Sequence, residues 1–332
     1  MYVFVLSQKN LTLALAEARA LYGARNVSAS HEHAFVKSTK KTTEEKKPLY
    51  EKLAFTKAAY DILFSCSAKK LEKNLKKYAW NKTINGTFCV RSSTDERKFA
   101  SIIWGSLKHP HVDLVNPDLL IHFFFISKKV YVTKQLWQNS HTFLDRKAQH
   151  RPGFYPASLH PQLALGMVNL SGVVSRYSNS GLIVDPFCGT GGILIETALS
   201  GRKCAGFDIS NWMLEKCLQN LLFYQIKNVL VQKGDATTFR KKCAAIVTEL
   251  PFGKNTKSQD LILLYTSFLK NAAQNTSTVV VSFPDFVNYK KICRQEKWKI
   301  VSDFRWYLHA SLSKHVVVLK RNRIKNRIKR KR

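Results

Sequence analysis

The chain has 332 residues, of which 45% are hydrophobic and 11% aromatic, enough apolar material for two or three packed domains and too much for a disordered chain. Its 54 Lys and Arg stand against 22 Asp and Glu, a formal net charge of +32 spread along the whole length. That excess points to a polyanionic partner, nucleic acid before an anionic membrane surface. No apolar run reaches the roughly 20 residues needed to span a bilayer. The seven cysteines (66, 89, 188, 204, 217, 243 and 293) form no CxxC pair, which argues against a disulfide framework or structural zinc and for a reducing cytoplasm. The close pairs His31/His33 and His109/His111 have no Cys or carboxylate at ligand spacing, so no metal site is expected.

The N-terminus, MYVFVLSQKNLTLALAEARALYG, lacks the basic start and cleavage site of a signal peptide. It predicts a strand, YVFVLS, followed by an amphipathic helix over Leu11 to Tyr22. The lysine-rich stretch from Lys37 to Lys47 predicts an exposed loop. These features define a first region, residues 1–58. A second, 59–145, contains the helix-like KKLEKNLKKYAW, the strand-like TFCVRSS, the helix ERKFASIIWGSLK and two β-rich runs, LLIHFFFIS and KKVYVTKQL. This alternation suits a small α+β RNA-binding unit. Its basic residues Lys69, Lys70, Lys73, Lys76, Lys77, Lys82 and Arg91 are candidates for phosphate contacts. Tyr78 and Trp80 lie among them; such aromatics stack on unpaired bases or fill a core, and the core is the expectation here.

From about Arg151 the pattern becomes a steady β/α alternation. The strands are GLIVDPF, KCAGFDIS, VLVQKGDA, AAIVTEL, STVVVSF, KIVSDFRWYL and HVVVLKR, and the helices GGILIETALS, NWMLEKCLQNLLFYQ and DLILLYTSFLKNAA lie between the earlier ones. Apolar strands separated by helices predict a parallel sheet covered on both faces. The last two strands join through a short link near His309 to Lys314, as an antiparallel pair at the sheet edge would. The region spans 146–320, and the residues beyond it, 321–332, form a basic tail.

The chemistry concentrates in VDPFCGTGGI, Val184 to Ile193. A glycine-rich turn brings backbone close to a ligand, and phosphates, dinucleotides and sulfonium nucleosides all use one. No GK[ST] follows, which removes a P-loop. Leu194 occupies the last position of a would-be GxGxxG, which disfavours a dinucleotide. S-adenosylmethionine remains: its carboxylate can use helix-terminal N–H groups and its ribose wants a carboxylate at the end of the second strand. Asp208 stands there, 23 residues past Asp185. Asp235, at the end of the third strand, is placed to accept from the adenine amino group. Three acids at three successive strand ends make the signal.

DPFCGTGGILIETA, preceded by RPGFYPASLHPQLALGMVNLSG, resembles the methyltransferase domain of the archaeal-type tRNA guanine-10 N2-methyltransferases, and HVDLVNPDLLIHFFF is similar to the end of a THUMP domain. The resemblance implies a Rossmann-like class I methyltransferase domain with a seven-stranded, mostly parallel sheet, preceded by α+β ferredoxin-like (1–58) and THUMP (59–145) domains. It implies S-adenosylmethionine as cofactor and tRNA as partner. Carried over residue by residue, it places Ser158, His160 and Pro161 in an extra cofactor motif before the sheet. Asp185, Cys188, Gly189, Thr190 and Gly191 take the methionine portion, Asp208 the ribose, and Asp235 with Ala236 the adenine.

The family's catalytic Asp-Pro-Pro-Tyr stands here as Glu249-Leu250-Pro251-Phe252. The guanine exocyclic amine is a poor nucleophile, so a carboxylate and a backbone carbonyl must hold it in line and accept its protons, with an aromatic stacked on the base. Glu249 keeps the carboxylate with one more methylene, the Leu250 carbonyl is an acceptor, and Phe252 keeps the stacking face. The leading expectation is methylation of guanine 10 of tRNA, once or twice, by a cytoplasmic monomer with room for a small activating protein subunit. The alternatives are methylation of a different RNA guanine, a non-catalytic tRNA-binding protein, and a nicotinamide-dependent oxidoreductase.

Overall fold

In a computed structural model, residues 1–37, 48–140, 142–174, 181–251, 258–309 and 312–321 are described. Most of the lysine-rich stretch, candidate Phe252 and the tail after Arg321 lie outside them. The chain forms two compact units, one from residues 1–11, 22–51 and 56–140, the other from 12–21, 52–55 and 141–332.

The first unit is built on one sheet. Its strands are β1 (Tyr2–Leu6), β2 (Val27–Ser30), β3 (His33–Val36), β4 (Thr56–Cys66), β5 (Thr87–Ser92), β6 (His111–Val112), β7 (Leu119–Ile126) and β8 (Lys129–Gln138). They lie in the order β2-β3-β1-β4-β8-β7-β5-β6. The helices of this stretch of chain are α1 (Leu11–Tyr22), α2 (Leu71–Lys77) and α3 (Glu96–Trp104). Strand β7 shows why the sheet holds: with a period of two, its Ile121 and Phe123 join a core with Leu75, Trp80, Phe99 and Ile103, while Phe124 and Ile126 join Val3 and Tyr60. The expected boundary at 58/59 falls inside β4, whose two edges pair antiparallel with β1 and β8. No sequence signal marked this strand, because alanines and an aspartate interrupt its apolar alternation. The helix expected over KKLEKNLKKYAW is confined to α2; Tyr78 is already extended, and Trp80, 1% exposed, donates its indole N–H to the Leu75 carbonyl at 2.8 Å. Trp80 is core.

The second unit contains α4 (Pro161–Leu170), β9 (Ile183–Asp185), α5 (Gly192–Leu199), β10 (Cys204–Asp208), α6 (Asn211–Phe223), β11 (Leu230–Lys233), β12 (Ala245–Glu249), α7 (Ser258–Asn275), β13 (Thr278–Pro284), α8 (Tyr289–Gln295), β14 (Lys299–His309) and β15 (Leu312–Lys320). The sheet runs β11-β10-β9-β12-β13-β15-β14. The first five strands are parallel and β15 is antiparallel to both β13 and β14, as the short last link requires. Every residue of β13, TVVVSFP, is buried, the pattern of a strand covered on both faces.

Most of α1 belongs to this unit, not to the first. The physical reason is Glu17. Its buried carboxylate accepts the N–H groups of Ala54 and Phe55 at 2.7 and 2.9 Å and the Asn169 side-chain amide at 2.6 Å. Arg202 in turn donates to Asn169 at 2.7 Å. Burial pushes the Glu17 carboxyl up to about 7 despite these donors.

Candidate active site

The strand order reverses between β9 and β12, where the chain leaves the sheet in opposite lateral directions. Ligands of open α/β sheets bind at the carboxyl ends of strands at such a switch point. A cavity of about 640 Å³ lies there, within the range of about 300–1,000 Å³ typical of small-molecule sites. It is lined by Ser158, Asp185, Cys188, Gly189, Thr190, Asp208, Asp235, Ala236, Glu249, Leu250 and Pro251, so residues 93 positions apart in sequence meet at one place.

The glycine turn is held by its neighbour strand. Gly189 and Gly191 have φ of +50° and +85°, the left-handed region that favours glycine. The Gly189 N–H donates to Asp208 Oδ2 at 2.9 Å, and the Ser210 N–H to Asp208 Oδ1 at 2.9 Å. Asp208 therefore shapes the turn as well as facing the cavity. Gly191 caps α5, and a Cβ there would lie 2.7 Å from the Cys217 sulfur. Gly191→Ala is expected to lose about 1–2 kcal/mol to the left-handed backbone and a further 1–3 kcal/mol, roughly, to overpacking. Denaturant midpoints check this, and adding Cys217→Ala should recover only the second part.

Asp185 is fully buried. It accepts the Thr248 hydroxyl at 2.6 Å and the Phe187 N–H at 3.1 Å. Burial raises its carboxyl to about 7; the two hydrogen bonds oppose that, and the charges of Asp208 and Glu249 add to it. A hydrogen bond to Cys217, together with burial, raises the Cys188 thiol and keeps it neutral. Asp235 is exposed, with Oδ1 accepting both the N–H and the hydroxyl of Thr237 at 2.7 Å.

At the end of β12, Glu249 forms an ion pair with Lys314 at 2.5 Å. Pro251 presents its carbonyl to the Tyr265 hydroxyl at 2.7 Å, which anchors the chain entering the segment that holds Phe252. Ser158 bonds the Thr190 hydroxyl at 3.0 Å.

Two sequence-derived candidates stand apart. His160 does not line the cavity; it is the N-cap of α4, its Nδ1 accepting the Gln162 N–H at 3.2 Å, with Pro161 as the first helical residue. That is the capping chemistry a helix start demands. Gly191 likewise acts through backbone conformation and is not a lining residue. In the first unit, Lys69, Lys73, Lys76 and Lys77 are exposed on α2 and the turn before it, whereas the Arg91 guanidinium is tied to Glu96 at 3.4 Å and to the Leu114 carbonyl at 3.0 Å.

Sequence reasoning missed Asn220, Thr248 and Lys314. Buried Asn220 accepts the Gly153 N–H at 2.8 Å and donates to the Gly153 and Thr190 carbonyls at 3.2 and 2.9 Å, joining the segment before the sheet to the glycine turn. Only the helical phase of α6, which turns Asn220 inward with Cys217 and Leu221, marked it in the sequence.

Residues 148–314 match the UPF0020 family model, described as the RMKL-like methyltransferase domain. The chain is 32% identical to the tRNA (guanine(10)-N2)-dimethyltransferase of Methanothermobacter thermautotrophicus over 83% of this chain and 85% of that one. It is 32% identical to the enzyme of the same name from Pyrococcus abyssi, over 72% and 76%. It belongs to the family of these relatives, the archaeal-type tRNA guanine-10 N2-methyltransferases. The fold is that of TrmN from Thermus thermophilus, at a TM-score of 0.50 and 15% identity over 96% of this chain and 99% of that one.

Proposed function

We propose that this protein transfers methyl groups from S-adenosylmethionine to the exocyclic N2 of guanine 10 in tRNA. The observation that carries the reading is the gathering of Asp185, Asp208, Asp235 and Glu249 around one cavity beside the glycine turn, in a chain of this family. The donor set fits the cofactor. Asp185, a buried acid facing other acids, suits a cationic ligand; Asp208 and Asp235 suit hydroxyl and amino donors; the N-terminus of α5 suits a carboxylate. When bound, the cofactor supplies a methyl group on an electrophilic sulfonium.

Glu249 and the Leu250 carbonyl are the acceptors for the amine N–H groups, holding the nitrogen lone pair toward the methyl and taking up the proton released as the N–C bond forms. Apolar Leu250 and Leu264 help exclude water there. The first unit is the RNA-binding part, read as a ferredoxin-like segment and a THUMP segment that share β4. Exposed Lys69, Lys73, Lys76 and Lys77 support the reading through salt-dependent phosphate contacts. We place the enzyme in the cytoplasm; no helix among the described residues is long and apolar enough to cross a membrane. A monomer with a small activating subunit completes the proposal, supported by the apolar Trp212, Leu218, Leu222 and Phe223 that α6 leaves exposed.

The test is labelled-methyl transfer to a tRNA transcript followed by nucleoside identification. N2-methylated guanosine should appear and vanish when G10 is replaced; undiminished label on the G10-substituted transcript overturns the site.

Asp185 gives the reading a pH signature. With its folded pKa raised to about 7, the empty protein holds this acid protonated below that pH, and a cation in the cavity favours the ionised form. Affinity for S-adenosylmethionine should fall as pH drops below 7, by up to about tenfold per unit. S-adenosylhomocysteine, which lacks the sulfonium charge, should fall less, and Asp185→Asn should bring the two pH dependences together. Isothermal titration from pH 5.5 to 8 decides it.

A further inference from the structure

The Lys314–Glu249 pair lies beyond anything the family resemblance assigned. We propose that Lys314 is the positioning residue for the reaction: it holds Glu249 Oε1 so that Oε2 meets the substrate amine. The proposal rests on the methyltransferase reading above, and on the following geometry.

The Lys314 side chain is 4% exposed and that of Glu249 18%, with Nζ and Oε1 2.5 Å apart. Glu249 lines the cavity and Lys314 does not, so Lys314 acts through the carboxylate. Oε2 has no hydrogen-bond partner among the described residues. The sheet explains how the lysine arrives. Glu249 is opposite Ser282 on β13, Ser282 is opposite Val316 on β15, and Lys314 is opposite Pro284, two residues further toward the carboxyl end of β13. The long side chain crosses β13 diagonally to reach the end of β12. The antiparallel final hairpin thereby brings a cation to the reacting edge of a parallel sheet, where the β/α pattern supplies only acids.

This also gives a reason for glutamate at this position. An aspartate at 249 would end about 1.5 Å short, one C–C bond, and could not both reach Lys314 and present an oxygen at the same point. The lysine and the longer acid are matched. A buried lysine also needs its partner, because an uncompensated buried charge is costly, so the pair holds the carboxylate still, with one oxygen committed.

The experiment uses the whole 332-residue chain with saturating S-adenosylmethionine and tRNA. Lys314→Met should lower kcat by about a hundredfold, the scale of a ~1 Å misplacement of a reacting group. The KM values for tRNA and cofactor should stay within about threefold. Lys314→Arg, which can restore the contact, should return kcat to within about tenfold of wild type. The double variant Glu249→Gln/Lys314→Met should be no slower than Glu249→Gln alone, because the lysine acts only through the acid. A readout independent of turnover is the ¹H–¹⁵N spectrum of the lysine ammonium groups: the Lys314 signal should be present in wild type and lost in Glu249→Gln.

A Lys314→Met variant with wild-type kcat, a loss confined to KM, or an ammonium signal indifferent to Glu249→Gln overturns the role of Lys314. If Lys314→Met does not fold, Lys314→Arg and the charge-free double variant decide the same point. A wild-type protein that methylates no RNA overturns the functional reading instead, and the ammonium signal then shows whether the pair exists without that function.

Discussion

Glu249→Gln is expected to lower kcat for methyl transfer by about 10²–10⁴-fold, the range of a general base, with cofactor affinity within about threefold of wild type. The substitution keeps the side-chain length and removes the charge and one carboxylate oxygen, and it leaves the Leu250 carbonyl in place as the second acceptor. It also leaves Lys314 buried without its counter-charge, and breaking such a pair destabilises by a few kcal/mol. Unfolding curves should show that loss. Adding Lys314→Met should recover stability and leave turnover where it was, which separates the chemical role from the structural one. Steady-state methyl transfer with cofactor and tRNA saturating is the measurement, and a Glu249→Gln enzyme within tenfold of wild type removes Glu249 from the chemistry.

The second large effect concerns Asp208. Asp208→Ala should weaken S-adenosylmethionine binding by about a hundredfold or more. It deletes the acceptor that the second strand offers a ribose, and it also strands the N–H groups of Gly189 and Ser210, both now bonded to the carboxylate at 2.9 Å. Each unsatisfied donor costs about 1–3 kcal/mol, so the glycine turn should loosen even without ligand. Asp235→Ala is the matched control. Its carboxylate is exposed and, among the described residues, bonded only to Thr237 two positions on, so the loss should be smaller. Titration calorimetry gives both affinities; equal losses at the two positions would mean that Asp208 does no more than a generic surface acid.

The parts of the catalytic unit that rest on local chemistry were legible in the residues. Gly189 and Gly191 announced a turn that brings backbone close to a ligand, and the structure has a turn there, with positive φ at both. The acids Asp185, Asp208 and Asp235 followed strand-like runs, so their meeting at one edge followed from the parallel order alone. The short link before β15 foretold an antiparallel final pair. His160 shows the limit of motif reasoning: in sequence it belonged with the cofactor segment, and in space its ring caps α4.

What the residues determined by themselves is therefore what neighbours along the chain decide: the alternation that makes a covered parallel sheet, the glycine bend, the acids at strand ends, and the basic character of the first unit. Only the tertiary structure decided that β4 runs through the expected boundary of two N-terminal domains, that most of α1 packs with the second unit through buried Glu17, and that Asn220 and Lys314 serve the site. The physical reason is separation. A hydrogen bond between residues 37 apart, or an ion pair between residues 65 apart, leaves no periodicity and no turn signature in either segment. Such contacts exist only once the sheet order has set which strand ends lie side by side.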